Sequence, residues 1–157
     1  MTSHRRVVQG FTLVEILIVV VLLGILAAIV IPQFTSASES AKESNLETQL
    51  RTVRSQLELY KIQHDDTYPT LAQMFLNLTE STNAAGATTG TLFGPYLLKD
   101  PVNPFTVGTT GNVVVANGAA ASTNGWTYNV TSGEFRASLS AAQVANLNLP
   151  VQDYETY

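Results

Sequence analysis

Hydrophobic positions follow two different rhythms along this chain, and the change between them falls near Pro32. From Phe11 to Ile31 the positions are apolar almost throughout, a run of 21 residues. As a helix such a run is about 31 Å long at roughly 1.5 Å per residue, enough to cross a bilayer core of about 30 Å. Beyond Pro32 the pattern turns periodic. Leu46, Leu50, Val53, Leu57 and Tyr60 recur at spacings of 4, 3, 4 and 3, which places them on one helical face. The opposite side carries Glu43, Glu47, Arg51, Arg54, Glu58 and Lys61. Glu47–Arg51 and Arg54–Glu58 stand at i,i+4, where an ion pair adds a few tenths of a kcal/mol. The two rhythms together predict one helix from Phe11 to about His64, roughly 80 Å long. Pro32 removes a backbone donor inside it and is expected to kink or locally melt the helix, with Gly24 a second soft point.

Asp65-Asp66-Thr67-Tyr68-Pro69 ends the helix, and Thr70 with Gln73 reads as the N-cap of a short helix reaching Leu78. A polar Ala/Gly/Thr-rich loop covers Ser81 to Thr91, and Gly94 to Phe105 reads as an irregular, proline-rich connection. Strand candidates follow at Asn112–Ala116, at Trp126–Val130, and at the alternating Phe135, Ala137 and Leu139. Thr131-Ser132-Gly133 reads as a hairpin turn with the glycine at positive φ. Ser140 with Gln143 predicts a last capped turn of helix, and Val151 to Tyr157 a surface strand or coil. The fold class is α+β, with one long helix packed on a small antiparallel β-sheet. Its parts are a basic leader (residues 1–10), a transmembrane and assembly helix (11–31), its amphipathic continuation (32–64) and an α+β domain (65–157).

Charge adds a direction to this layout. Arg5 and Arg6 precede the apolar run and the next cation is Lys42, so the positive-inside rule leaves the N-terminus in the cytoplasm and the bulk of the chain outside it. The formal net charge is −4, and removing Arg5 and Arg6 brings it to −6, with basic residues too few and scattered for nucleic-acid binding. Cysteine is absent, which excludes disulfides and thiol chemistry. Glu15 is the anomaly. A carboxylate inside a membrane span costs on the order of 2.5–3.5 kcal/mol and requires a reason. An ordinary cleaved secretory signal ending near Ser36-Ala37-Ser38 competes as an explanation of the start. However, the apolar run exceeds the usual length of about 7–15 residues and contains Glu15.

Catalytic chemistry finds little material. His4 lies in the leader and His64 at a helix end, so the two histidines form no metal-ligand pair. No phosphate-binding glycine loop and no Gly-x-Ser-x-Gly elbow occur. Asp65-Asp66 reads as a solvated turn, and Tyr60, Tyr68, Trp126, Tyr128 and Phe135 as core rather than a binding face. Asn77-Leu78-Thr79 and Asn129-Val130-Thr131 match the glycosylation triplet, but such triplets arise by chance.

The stretch Gly10-Phe11-Thr12-Leu13-Val14-Glu15, the basic residues before it and the proline at Pro32 resemble the class III signal of type IV pilins and type II secretion pseudopilins. Leu59-Tyr60, Tyr68-Pro69-Thr70, Gly94-Pro95-Tyr96-Leu97, Asp100-Pro101 and Asn103-Pro104-Phe105 extend the resemblance, more loosely, towards major pseudopilins. The missing C-terminal cysteine pair of major type IV pilins points the same way. The resemblance implies cleavage by prepilin peptidase between Gly10 and Phe11 and N-methylation of Phe11. It implies that Glu15 pairs with the Phe11 amine of a neighbour and that Pro32 is the helix's kinking proline. It also implies a homo-oligomeric helical filament in the inner membrane and periplasm, working with minor pseudopilins and the secretion platform of that membrane. Major pseudopilins bind calcium in an acidic C-terminal loop. Here the region offers only Asp153 and Glu155, with Asp100 and Asn103 upstream, so no cofactor is expected. A type IV pilus subunit for adhesion, motility or DNA uptake, and a membrane-anchored binding module, are the alternatives.

Overall fold

The computed structural model describes residues 10–106, 108 and 110–157, so residues 1–9 of the basic leader, Arg5 and Arg6 among them, lie outside the described residues. Helix α1 runs unbroken from Leu13 to Gln63. A 3-10 turn at Leu71–Gln73 leads into α2 (Met74–Thr79), followed by strands β1 (Val114–Ala116), β2 (Trp126–Tyr128) and β3 (Phe135–Leu139). Helix α3 (Ala141–Val144), a second 3-10 turn (Val151–Asp153) and strand β4 (Tyr154–Thr156) complete the chain. Two compact units result, one ending at Ser40 and one comprising Ala41–Tyr157.

In the second unit the periodic stripe is the core. Leu46, Leu50, Val53, Leu57 and Tyr60 are each 0–3% exposed. They cluster with Met74, Phe75 and Leu78 of α2 and with Trp126, Tyr128, Phe135, Ala137 and Leu139 of the sheet. At about 1.5–3 kcal/mol for each large side chain fully buried, this one stripe stabilises the domain more than any polar contact in it. Of the aromatics expected in the core, Tyr60, Trp126, Tyr128 and Phe135 are buried, while Tyr68 is only half-buried at its edge. Trp126 stacks on Phe135 with centroids 5.0 Å apart, and Phe75 meets Phe135 edge-on at 6.2 Å. Their polar ends are satisfied: Trp126 Nε1 donates to Pro101 O at 3.1 Å and the Tyr128 hydroxyl to Pro69 O at 3.0 Å. Burial pushes the Tyr128 phenol well above its ordinary pKa.

The sheet departs from expectation. Its order is β1-β2-β3-β4, but only β2 and β3 are antiparallel; β1 pairs with β2, and β3 with β4, in parallel. The sheet is therefore mixed, and the connections explain why. Asn129–Glu134 is a true hairpin turn, with Asn129 Oδ1 accepting from the Thr131 and Ser132 amides. Gly133 closes it at φ 74°, where a Cβ would also run into the Tyr68 ring at 2.1 Å. The long connection before β2, and α3 with the 3-10 turn before β4, act as crossovers that return the chain in the same direction.

Three local expectations also change. Thr70 makes no side-chain cap bond; Leu71–Gln73 is a 3-10 turn, and α2 starts only at Met74 and runs to Thr79. Arg54 pairs with Asp153, not with Glu58, because α1 presents it to β3 and the C-terminal segment; Glu58 accepts from the Tyr68 hydroxyl instead. Pro32 does not melt α1, which is continuous through it. Beside the proline, Thr35 Oγ1 donates to Ile31 O at 3.2 Å, and Ser36 Oγ to Pro32 O and Gln33 O at 3.2 and 3.1 Å. The Glu47–Arg51 pair forms at 3.4 Å, and Ser140 with Gln143 makes a full capping box.

Because the second unit contains the whole buried cluster, deleting residues 1–34 is expected to leave a folded, monomeric domain. Circular dichroism with sedimentation velocity checks this; an unfolded product would mean that the deleted segment supports the core.

Candidate functional site

The residues singled out by sequence gather at the start of α1. Gly10 and Phe11 are exposed and non-helical, with Phe11 84% exposed, and the helix begins two residues later. What stops it there is a reciprocal cap. Thr12 N and Thr12 Oγ1 both donate to Glu15 Oε2 at 2.8 Å, while Glu15 N donates to Thr12 Oγ1 at 3.2 Å. The Ile16 amide donates to Thr12 O at 3.4 Å as the first bond of the helix. This is the Thr-x-x-Glu capping box, which satisfies backbone donors that a helix start otherwise leaves unpaired.

Thr12 is thus a site residue that the reading of the sequence passed over, although its signal, a threonine three places before a glutamate, was visible. The cap also changes the account of Glu15. Its carboxylate has partners within its own chain before any processing occurs. Both bonds fall on Oε2; among the described residues Oε1 takes none.

From Leu13 to Ile31 the large apolar side chains are all exposed, at 40–82%, and face every direction around the helix. A helix that is hydrophobic on all sides needs a non-aqueous surrounding: lipid or other helices. It is long and apolar enough to cross a membrane. Pro32 stands just past the end of this segment, inside α1.

Other chemistry is not assembled. His64 is 4% exposed and stacks on Tyr60 at 3.7 Å, with Nδ1 bonded to Tyr60 O and Nε2 to Thr82 Oγ1. Both nitrogens serve packing. Asp65 and Asp66 form an exposed turn at φ 49° and 59°, with Asp66 paired to Lys61 at 3.4 Å. Asn77, the acceptor of the first glycosylation triplet, is 3% exposed and donates to the Tyr60 hydroxyl. No group of three or more His, Asp or Glu side chains able to hold a metal ion occurs among the described residues.

A capped, fully apolar helix that continues as the spine of a small α+β domain defines a pilin-like, membrane-anchored subunit. Residues 5–31 match the prokaryotic N-terminal methylation motif, and residues 33–118 match type II secretion system protein G. The chain belongs to the type II secretion system protein G family. The type II secretion system core protein G of Pseudomonas aeruginosa is 36% identical over 65% of this chain and 71% of its own. The protein of the same name from Aeromonas hydrophila is 31% identical over the same shares. A type IV narrow pilus major component from Thermus thermophilus is 36% identical over 51% of this chain and 67% of its own. No solved structure gives a significant match.

Proposed function

We propose that this chain is the major pseudopilin of a type II protein secretion system, a structural subunit and not an enzyme. Prepilin peptidase removes residues 1–10 and methylates the new amine on Phe11. The mature subunit sits in the inner membrane as a single-pass protein, with its N-terminus cytoplasmic and the Ala41–Tyr157 domain periplasmic. Copies leave the membrane and stack head to tail into a helical filament, together with minor pseudopilins and the inner-membrane platform.

The single observation that carries this reading is the capped helix start, with Gly10 and Phe11 non-helical and exposed immediately before it. Cutting there puts a cationic amine four residues from Glu15, whose Oε1 is open to a neighbour's amine while Oε2 stays in the cap. A buried charge pair of this kind sets the register between copies. Lipid-facing side chains from Leu13 to Ile31 then become the apolar core of the filament.

Intact mass spectrometry of the membrane-extracted protein tests it. Loss of residues 1–10 with the gain of one methyl group is expected. A mature N-terminus near Ser38 would establish an ordinary secretory signal and remove the filament reading. The Thermus thermophilus relative keeps one second reading in view, a type IV pilus subunit. Cells lacking this chain separate the two, since a pseudopilin's loss stops export of folded proteins and a pilus subunit's loss removes surface fibres.

A further inference from the structure

The resemblance to major pseudopilins implies a calcium ion in the C-terminal region, and the donor chemistry there does not fit one. Beyond residue 101 the sequence holds three carboxylates, Glu134, Asp153 and Glu155. Glu134 is paired with Arg136 and accepts from Asn117 Nδ2 at 3.1 Å. Glu155 Oε1 accepts from the Gly118 amide. Asp153 is paired with Arg54 at 2.6 Å. Among the described residues five buried polar atoms in this region lack partners: Thr106 Oγ1, Asn117 Oδ1, Thr127 Oγ1, Glu155 Oε2 and Arg136 Nε. Only one of them is a carboxylate oxygen, and the Arg136 guanidinium on the strand position facing Thr127 repels a divalent cation. Calcium takes about six to eight oxygens, usually with several carboxylates among them.

A different cation already gathers oxygens from separate parts of the chain. Arg54 on α1 donates from Nε and Nη2 to Phe135 O at 3.0 and 2.7 Å, from Nη2 to Gln152 O at 3.1 Å, and from Nη1 to Asp153 Oδ1 at 2.6 Å. Two backbone carbonyls and one carboxylate, from β3 and from the segment entering β4, thus converge on one guanidinium. Its planar fork satisfies all three at once, and the pair is largely sheltered, with the Asp153 side chain 13% exposed. Strand β4 is three residues long and lies at the sheet edge, paired on one side with β3, so the Arg54 contacts give it a second attachment, to α1.

We propose that the Arg54 guanidinium takes the place of a bound metal ion in this chain, fastening β4 to α1 and β3, and that the domain folds independently of calcium. The test uses the full mature chain in detergent, with fluorescence of Trp126, the single tryptophan and fully buried, as the thermal readout. The wild type is expected to melt at the same temperature in calcium chloride and in EGTA. Arg54→Gln is expected to melt lower by about 5–10 °C and to lose its C-terminal residues faster to carboxypeptidase. Arg54→Lys, which keeps the charge without the fork, falls between them. Arg51→Gln, which breaks only the exposed Glu47–Arg51 pair, stays within about 2 °C of wild type. A drop in wild-type melting temperature on adding EGTA overturns the proposal, as does an Arg54→Gln protein as stable as wild type or one restored by calcium. Should Arg54→Gln not fold, Asp153→Asn supplies the lost contact and the calcium titration of the wild type decides the metal.

Discussion

Leu50→Asp is expected to unfold the globular domain. Leu50 is 1% exposed, between Leu46 and Val53 on the α1 stripe that meets the sheet. Truncating a buried leucine alone costs about 2–5 kcal/mol, and a carboxylate in its place adds the penalty for an unpaired charge in an apolar site. A domain of this size has a total stability of roughly 5–15 kcal/mol, so one substitution removes most or all of it. Leu59→Asp provides the contrast. Leu59 is 41% exposed on the other side of the same helix, and its replacement is expected to cost less than about 1 kcal/mol. Circular dichroism and urea titration of the two variants, made in the chain lacking residues 1–34, report the difference. Equal stability for both would mean that the assigned core face is wrong.

Glu15→Ala is expected to leave the protein cleaved and inserted yet unable to assemble efficiently. Losing the carboxylate eases insertion, by less than the roughly 2.5–3.5 kcal/mol of a charge at the centre of a span because Glu15 lies in the first turn, so no membrane defect follows. Two functions are removed together, however: the cap with Thr12 and the proposed partner of the neighbour's Phe11 amine. Further substitutions separate them. Glu15→Gln retains a side chain able to complete the box but carries no charge, whereas Thr12→Ala removes the cap, at about 0.5–2 kcal/mol, and keeps the carboxylate. If pairing governs assembly, Glu15→Gln fails like Glu15→Ala while Thr12→Ala still forms filaments. Filament yield by electron microscopy of membrane and periplasmic fractions, with export of folded proteins measured beside it, gives the answer. Normal filaments from Glu15→Gln would leave Glu15 only its capping role.

How legible each part was follows from the range of the interaction that specifies it. The stripe from Leu46 to Tyr60, the turn closed by Gly133 and the Ser140–Gln143 box are all written within a few residues, and all three stand where the sequence places them. The Thr12–Glu15 box is equally local, a threonine three places before a glutamate at the start of an apolar run. Thr70 shows the limit of such signals. It has the residue types of an N-cap three places before Gln73, yet tertiary packing starts α2 later, at Met74.

By itself, then, the sequence determined the long helix with its apolar first half, the face that it buries, the α+β class and the N-terminal methylation motif, because each rests on periodicity or on residues within one or two turns. Only the tertiary structure decided the parallel pairing of β1 with β2 and of β4 with β3, the burial of His64 against Tyr60 and Thr82, and the capture of Arg54 by Phe135 and Asp153. These join residues as many as 99 positions apart. An arginine at i,i+4 from a glutamate has a weak local partner worth a few tenths of a kcal/mol, and three convergent acceptors in a sheltered site outweigh it. No pattern along the chain records where those acceptors will be, since their positions exist only once the sheet has closed against the helix.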